Sequence, residues 1–158
     1  MTSSRAHIPL PYRIYFQWLD PIVSTITAYM AVFHKDAVLA SFHPLLVPRD
    51  TKYDTFLWFA AGVFAMIAVN HALLLRYTDD IGVWKITNLG VLLVDFSLLW
   101  AMYEMHFVSP EMSATEMRPE DWVNYFLTLL AVAMRSSFIA EIGLTTEGGK
   151  DLGNKKRL

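Results

Sequence analysis

Charged side chains interrupt stretches of this sequence that are otherwise almost entirely apolar. Three of them, Asp20, Asp95 and Arg135, have the clearest chemical potential. An arginine can keep one carboxylate ionised while burial keeps a second one protonated. Two such carboxylates can serve as the general base and the general acid of one reaction. The sequence therefore predicts a catalytic group made of these three residues.

The elements that carry these residues are long enough to cross a membrane. Runs of about 20 mainly apolar residues, enough to span a hydrocarbon core of about 30 Å, cover residues 14–34, 55–75, 82–103 and 122–144. The chain has 158 residues, of which 54% are hydrophobic and only 18% charged. Soluble helical bundles carry a charged face on each helix, and these runs have none. We predict an all-α bundle of four transmembrane helices.

Depth in the bilayer relates the three charged residues to one another. A charge in hydrocarbon costs between about 2.5 and more than 10 kcal/mol, so it is rarely kept without a function or a partner. At about 1.5 Å per residue, Arg135 falls between the heights of Asp20 and Asp95, so one guanidinium could bridge both carboxylates. Two simpler interpretations stay open. Asp20 and Pro21 could cap a kinked helix, or Asp95 and Arg135 could be a structural ion pair.

Further polar residues lie near these three or on the same helix faces. A spacing of three or four residues links Gln17 and Ser24 with Asp20 on one face. We predict that substrate is bound by Asn70, His71, Trp84, Asn88, Asn124 and Glu141. His71 could instead join two helices, and Glu141, about 120° around the helix from Arg135, could serve the membrane interface.

Several kinds of site are excluded by what the sequence lacks. The chain has no cysteine, and its five histidines never stand three or four residues apart, so we expect no metal site. It contains no phosphate-binding loop and no dinucleotide motif, so we expect no cofactor. A net charge of −2 argues against nucleic acid as a partner. The expected partners are the lipid bilayer and a lipophilic small molecule.

The distribution of Lys and Arg predicts the orientation of the chain. With four spans, both termini and the second loop lie on one side, which carries eight of these residues against four on the other side. The positive-inside rule then makes both termini cytosolic. We expect one membrane domain, residues 1–148, and a basic cytosolic tail, residues 149–158. Gly62 and Gly90 permit close helix approach, which leaves room for a homo-oligomer.

The tail carries a pattern that predicts a compartment. Lys155 and Lys156 stand fourth and third from the carboxyl end and resemble the retrieval signal of endoplasmic-reticulum membrane proteins. The sequence thus favours a multi-pass protein of that membrane. A generic basic tail is the alternative.

Short motifs along the chain resemble a small fungal family of four-span membrane proteins. The opening residues 9–16, Pro-Leu-Pro-Tyr-Arg-Ile-Tyr-Phe, and the following Trp18-Leu19-Asp20-Pro21 resemble the start of that family. The resemblance continues through Val83-Trp84-Lys85 with Asp95, and through Asp121-Trp122 and Asn124 with Arg135. It covers nearly the whole chain. The family is similar to membrane-bound epoxide hydrolases or cyclases of fungal polyketide biosynthesis, of the aurovertin and citreoviridin type.

This resemblance implies an enzyme of secondary metabolism that opens a lipophilic epoxide or polyepoxide. Asp20, Arg135 and Asp95 supply groups similar to those of the limonene-epoxide type of hydrolase, in which water attacks directly. Attack by water gives hydrolysis, and attack by an internal hydroxyl gives cyclisation. Two other functions stay open. The chain could be a membrane terpenoid cyclase or sterol-type isomerase, or a noncatalytic scaffold whose charges only pair helices.

Overall fold

The described chain is built almost entirely of helices. The structure is a computed structural model that describes residues 6–109 and 117–146. Within those ranges, the strands β1 (Ala6–His7) and β2 (Thr145–Thr146) form a short antiparallel pair. The predicted cytosolic tail, residues 149–158 with its Lys155 and Lys156 signal, lies outside the described residues.

The helices are continuous over long distances because π-helical turns join shorter α-helical pieces. Turns at Tyr15–Leu19 and Asn70–Leu74 connect α1 to α2 and α4 to α5, and a turn at Glu104–Val108 extends α6. The α-helices are α1 (Leu10–Ile14), α2 (Asp20–Phe33), α3 (Lys35–Phe42), α4 (Asp54–Val69), α5 (Leu75–Tyr77), α6 (Ile81–Tyr103) and α7 (Pro119–Ile139). A π turn adds a residue to the helical turn and is often found at functional sites.

Three helices of the described chain are long and apolar enough to cross a bilayer. They cover Thr51–Tyr77, Ile81–Val108 and Pro119–Ile139. The predicted first span coincides with the α1–α2 helix, which is interrupted by polar residues such as Gln17, Asp20 and Ser24 and is not among the three. The structure thus confirms an all-helical protein with helices suited to a membrane.

The end of α7 differs from the prediction. We placed the fourth span over residues 122–144, but the helix ends at Ile139. Glu141 and Gly143 adopt left-handed backbone conformations, with φ of 63° and 77°, which an α-helix cannot accommodate. Glu141 therefore lies in a turn after the helix, outside the span that was predicted to contain it.

Apolar packing surrounds the interior and also covers the outside. The helix α2 packs on α4, and α6 packs on α7. Phe16, Trp84 and Phe138 are fully buried, and the Phe16 ring lies 6.3 Å from Trp84 and 5.6 Å from Phe138. In contrast, Phe56 and Phe59 are 71% and 75% exposed on α4. An apolar exterior of this kind is compatible with lipid.

Candidate functional site

The guanidinium of Arg135 lies between two carboxylates from other helices. Its Nη1 donates to Asp95 Oδ2 at 2.5 Å, and its Nη2 donates to Asp20 Oδ2 at 2.7 Å. The Arg135 side chain is 2% exposed, against 10% for Asp20 and 13% for Asp95. The structure thus places these groups as the comparison of helix depths predicted. Their assignment as catalytic residues stays a prediction.

A fourth helix contributes His71, which contacts Asp20 directly. His71 Nδ1 lies against Asp20 Oδ2, the same oxygen that accepts from Arg135, and the side chain is fully buried. We predicted that His71 binds substrate, and the structure makes it a partner of Asp20. We name Asp20, His71, Asp95 and Arg135 the central cluster.

Pro21 removes one backbone hydrogen bond from the helix around Asp20, and the neighbouring helix supplies a replacement. Pro21 has no N–H, so it cannot donate to the carbonyl of Gln17 four residues earlier. Arg76 Nη2 donates to that carbonyl at 2.7 Å, and Gln17 Nε2 donates to the Leu75 carbonyl at 2.7 Å. Asp20 thus lies inside a continuous helix rather than capping one, and its carboxylate is free to bind Arg135 and His71.

Two of the predicted substrate-binding residues lie in the interior along α6. Trp84 and Asn88 are both fully buried. Asn88 Nδ2 donates to the Trp84 carbonyl at 2.9 Å, and Trp84 Nε1 donates to the Thr78 carbonyl at 2.7 Å. Asn88 precedes Asp95 by two helical turns and therefore shares its face. Asn70 is half-buried and begins the π turn that contains His71.

The other two predicted residues lie away from the central cluster. Asn124 stands about 16 Å from Arg135 along the axis of α7 and donates to the Ser41 carbonyl at 2.7 Å. Glu141 is exposed and pairs with Lys85. The structure thus brings together Asp20, His71, Asp95 and Arg135, and it leaves Asn124 and Glu141 outside this group.

Several polar atoms in the interior have no hydrogen-bond partner within the described residues. Those in and next to the central cluster include Arg135 Nε, the ring nitrogens of His71 and Asn88 Oδ1. Buried polar atoms are nearly always paired, so each unpaired one calls for a reason. Donors or acceptors of the central cluster are therefore available to a polar group of a ligand or to water.

A second histidine, aspartate and arginine group lies at the opposite end of α7. Arg118 Nη2 donates to Asp121 Oδ1 at 2.8 Å, and His106 Nε2 lies 3.7 Å from Asp121 Oδ2. Arg118 is the N-cap of α7, and its backbone N–H also donates to Asp121 at 2.8 Å. The hydrogen bond to Asp121 raises the pKa of Arg118. We name His106, Arg118 and Asp121 the terminal cluster.

One residue that the sequence did not single out lies beside the central cluster. Tyr15 belongs to the π turn before Asp20 and is 9% exposed. The charges of Asp20, Arg135 and Asp95 all act on its hydroxyl. Residues five positions apart lie on different faces of an α-helix. The sequence alone does not show the π turn, so the position of Tyr15, five residues before Asp20, did not indicate this proximity.

The described residues contain no group of three His, Asp or Glu side chains that could hold a metal ion. The side chains of the central cluster are proton-transfer groups and hydrogen-bond donors. Comparison of the chain with protein-family models, with curated proteins and with solved structures finds no match.

Proposed function

We propose that this protein is an integral membrane enzyme that opens a lipophilic epoxide by acid–base catalysis. The observation that supports this most is the buried arrangement of Asp20, Arg135 and Asp95, which joins three helices through one guanidinium. Epoxide opening needs an acid for the departing oxygen and a base for the attacking oxygen. Two carboxylates in different surroundings can fill these two roles.

Asp20 and Asp95 differ in their contacts, and this difference supports an assignment of the general base and the general acid. Asp20 accepts from Arg135 and also contacts the imidazole of His71, and these two basic neighbours favour an ionised carboxylate. Within the part of the chain that the structure describes, Asp95 accepts a hydrogen bond from Arg135 only. We assign Asp20, supported by His71, as the general base and Asp95 as the general acid.

Hydrolysis consumes one water and returns both carboxyl groups to their starting states. Asp20 takes a proton from water while the water oxygen bonds to an epoxide carbon. The carbon–oxygen bond of the epoxide breaks, and its oxygen takes the proton of Asp95. The product is a diol that contains one added water, and return of the proton from Asp20 to Asp95 restores the enzyme. An internal hydroxyl in place of water closes a ring without adding mass.

The proposed topology has four spans, with the α1–α2 helix as the first and both termini in the cytosol. Support comes from contacts between the ends of the described chain. Strand β1 pairs with β2, and the Tyr12 hydroxyl donates to the Ile142 carbonyl at 2.9 Å. An even number of helix passes accounts for this proximity. Location in the endoplasmic reticulum and a role in polyketide biosynthesis belong to the same proposal and rest on the sequence resemblances.

A membrane isomerase that steers a carbocation is the second candidate function. The aromatic residue Phe16 favours it, because its ring lies 6.0 Å from the His71 ring and 6.3 Å from the Trp84 ring. Trp100, a second tryptophan of α6, is 67% exposed and does not line the interior.

Incubation of the purified protein in detergent with a lipophilic bis-epoxide tests the proposal. Hydrolysis adds the mass of one water per opened ring, cyclisation gives a new product with unchanged mass, and a scaffold gives neither. We expect Asp20→Asn and Asp95→Asn to abolish turnover. The control Asp79→Asn removes a carboxylate that is 61% exposed and pairs with Arg13, so it should retain activity. Absence of turnover by the folded wild-type protein on several bis-epoxides would overturn the proposal.

A further inference from the structure

An apolar groove opens beside the central cluster. It has a volume of about 340 Å³ and lies between the start of the α1–α2 helix and α7. Its walls are formed by Leu10, Pro11, Ile14, Tyr15, Leu19 and Met134. Ligand pockets usually have volumes of about 300–1,000 Å³, so this groove can take one segment of a small molecule.

The groove faces the outside of the bundle. Leu10, Ile14 and Leu19 are 66%, 52% and 48% exposed. These side chains belong to the apolar exterior that lipid would cover, so a molecule dissolved in the bilayer could enter from the side. Met134 forms the wall contributed by α7 and directly precedes Arg135. The groove and the central cluster are therefore adjacent along both helices.

Tyr15 lies between the groove and the central cluster. Its ring forms part of the groove wall and packs edge-on against Phe16 at 5.2 Å. Its hydroxyl, the one polar side-chain group among the groove residues, is acted on by the charges of Asp20, Arg135 and Asp95. No hydrogen bond within the described residues occupies this hydroxyl. A donor is thus available where an apolar binding surface meets the charged interior.

We propose that this groove binds the hydrocarbon chain of the substrate and that Tyr15 donates a hydrogen bond to the substrate's epoxide oxygen. This rests on the proposed function, since it names the part of the site that recognises the lipophilic portion. The apolar walls suit a hydrocarbon chain, and the free hydroxyl suits an oxygen at its end. Tyr15 keeps its own proton throughout. Its hydrogen bond strengthens as negative charge develops on the oxygen that Asp95 protonates.

Substitution of the groove wall tests the binding part. Met134→Trp fills the groove, so we expect it to raise the KM for a long-chain epoxide about tenfold and to leave the KM for a short-chain epoxide nearly unchanged. Met66→Trp is the matched control, because Met66 lies on the outer face of α4 and is 54% exposed. Equal effects of the two substitutions on the long-chain KM would overturn the groove as a substrate site.

Substitution of Tyr15 tests the hydrogen bond. We expect Tyr15→Phe to lower kcat about 100-fold, as for loss of an oxyanion donor, with little change in KM. A purely structural role would lower the yield of folded protein and leave the kcat of the folded fraction unchanged. That result would overturn the assignment of Tyr15.

Photocrosslinking keeps the groove testable if no epoxide is turned over. A long-chain fatty epoxide that carries a diazirine at the chain end should label the peptide 10–19 in wild-type protein and lose this labelling in Met134→Trp. Labelling without turnover would refute the proposed function and leave the binding groove standing. Turnover without labelling of this peptide would refute the groove and leave the function standing. Equal labelling by a diazirine phospholipid, with no competition from the epoxide, would show a bound lipid and overturn the proposal.

Discussion

Both ends of α7 carry an arginine that binds an aspartate next to a histidine, yet the two clusters are built differently. In the central cluster Arg135 is 2% exposed, and its partners come from other helices, 40 and 115 residues away along the chain. In the terminal cluster Arg118 is 28% exposed and binds Asp121 three residues later. The terminal pair satisfies the first turn of its own helix, a common structural task. The central cluster requires the whole bundle to place its charges, which is why we assign the chemistry to it.

The largest difference should appear when each arginine is removed. Arg135→Ala leaves two buried carboxylates without their cation, which typically costs about 3–5 kcal/mol. Arg118→Ala removes a partly exposed partner of the buried Asp121 carboxylate, which still accepts from the backbone N–H of residue 118, so we expect a smaller loss of about 1 kcal/mol. Thermal unfolding of both variants in the same detergent measures the contrast. Equal losses of stability in the two variants would contradict this difference between the clusters.

The two histidines should differ in their effect on catalysis. His71 is the buried neighbour that contacts the Asp20 carboxylate, and loss of a polar partner of a charged group costs about 1.5–3 kcal/mol, so we expect His71→Ala to lower kcat roughly 10- to 100-fold. His71→Asn should restore part of this rate, because its amide nitrogen can donate a hydrogen bond to Asp20. His106→Ala, the matched control in the terminal cluster, should keep kcat within about twofold. A similar loss in His71→Ala and His106→Ala would contradict the comparison.

The smallest effect should come from an ion pair that belongs to neither cluster. The backbone N–H of Lys52 and then its side chain bind Asp50 and lower the pKa of that carboxyl from its ordinary value of 3.8. A lowered pKa in the folded state stabilises the fold above the ordinary pKa, and this stabilisation is lost as the pH falls through the folded-state value. Both side chains are well exposed, so the effect is small. Unfolding temperatures of wild type and Asp50→Asn should differ slightly at pH 7 and converge as the pH falls through the lowered folded-state pKa of Asp50. A difference that grows in acid would contradict this.

Much of the central cluster could be predicted from the sequence because helices have a fixed rise. Counting residues along each helix placed Arg135 between Asp20 and Asp95, and the structure shows both contacts. The contact between His71 and Asp20 could not be predicted in the same way. Both residues adjoin or belong to π turns, which rotate the following side chains relative to a regular helix.

Two of the predicted substrate-binding residues lie away from the central cluster, and each position has a physical reason. Asn124 shares a helical spacing with Arg135, but a long helix meets different neighbours at its two ends, and Asn124 meets Ser41. Glu141 was included in the last span because the sequence stays apolar around it. The helix ends earlier since Glu141 itself takes a left-handed conformation. Gly143 was the available signal, because glycine just beyond the last helical turn often marks a helix end.

Turnover of a lipophilic mono-epoxide that lacks an internal hydroxyl tests the central claim most directly. Such a substrate can only be hydrolysed, so the product gains one water. The matched variants are Asp95→Asn in the central cluster and Asp121→Asn in the terminal cluster. We predict that Asp95→Asn lowers kcat at least about 100-fold, as expected for a lost general acid, while Asp121→Asn stays within about threefold of wild type. Equal rates in the two folded variants would contradict the assignment of chemistry to the central cluster.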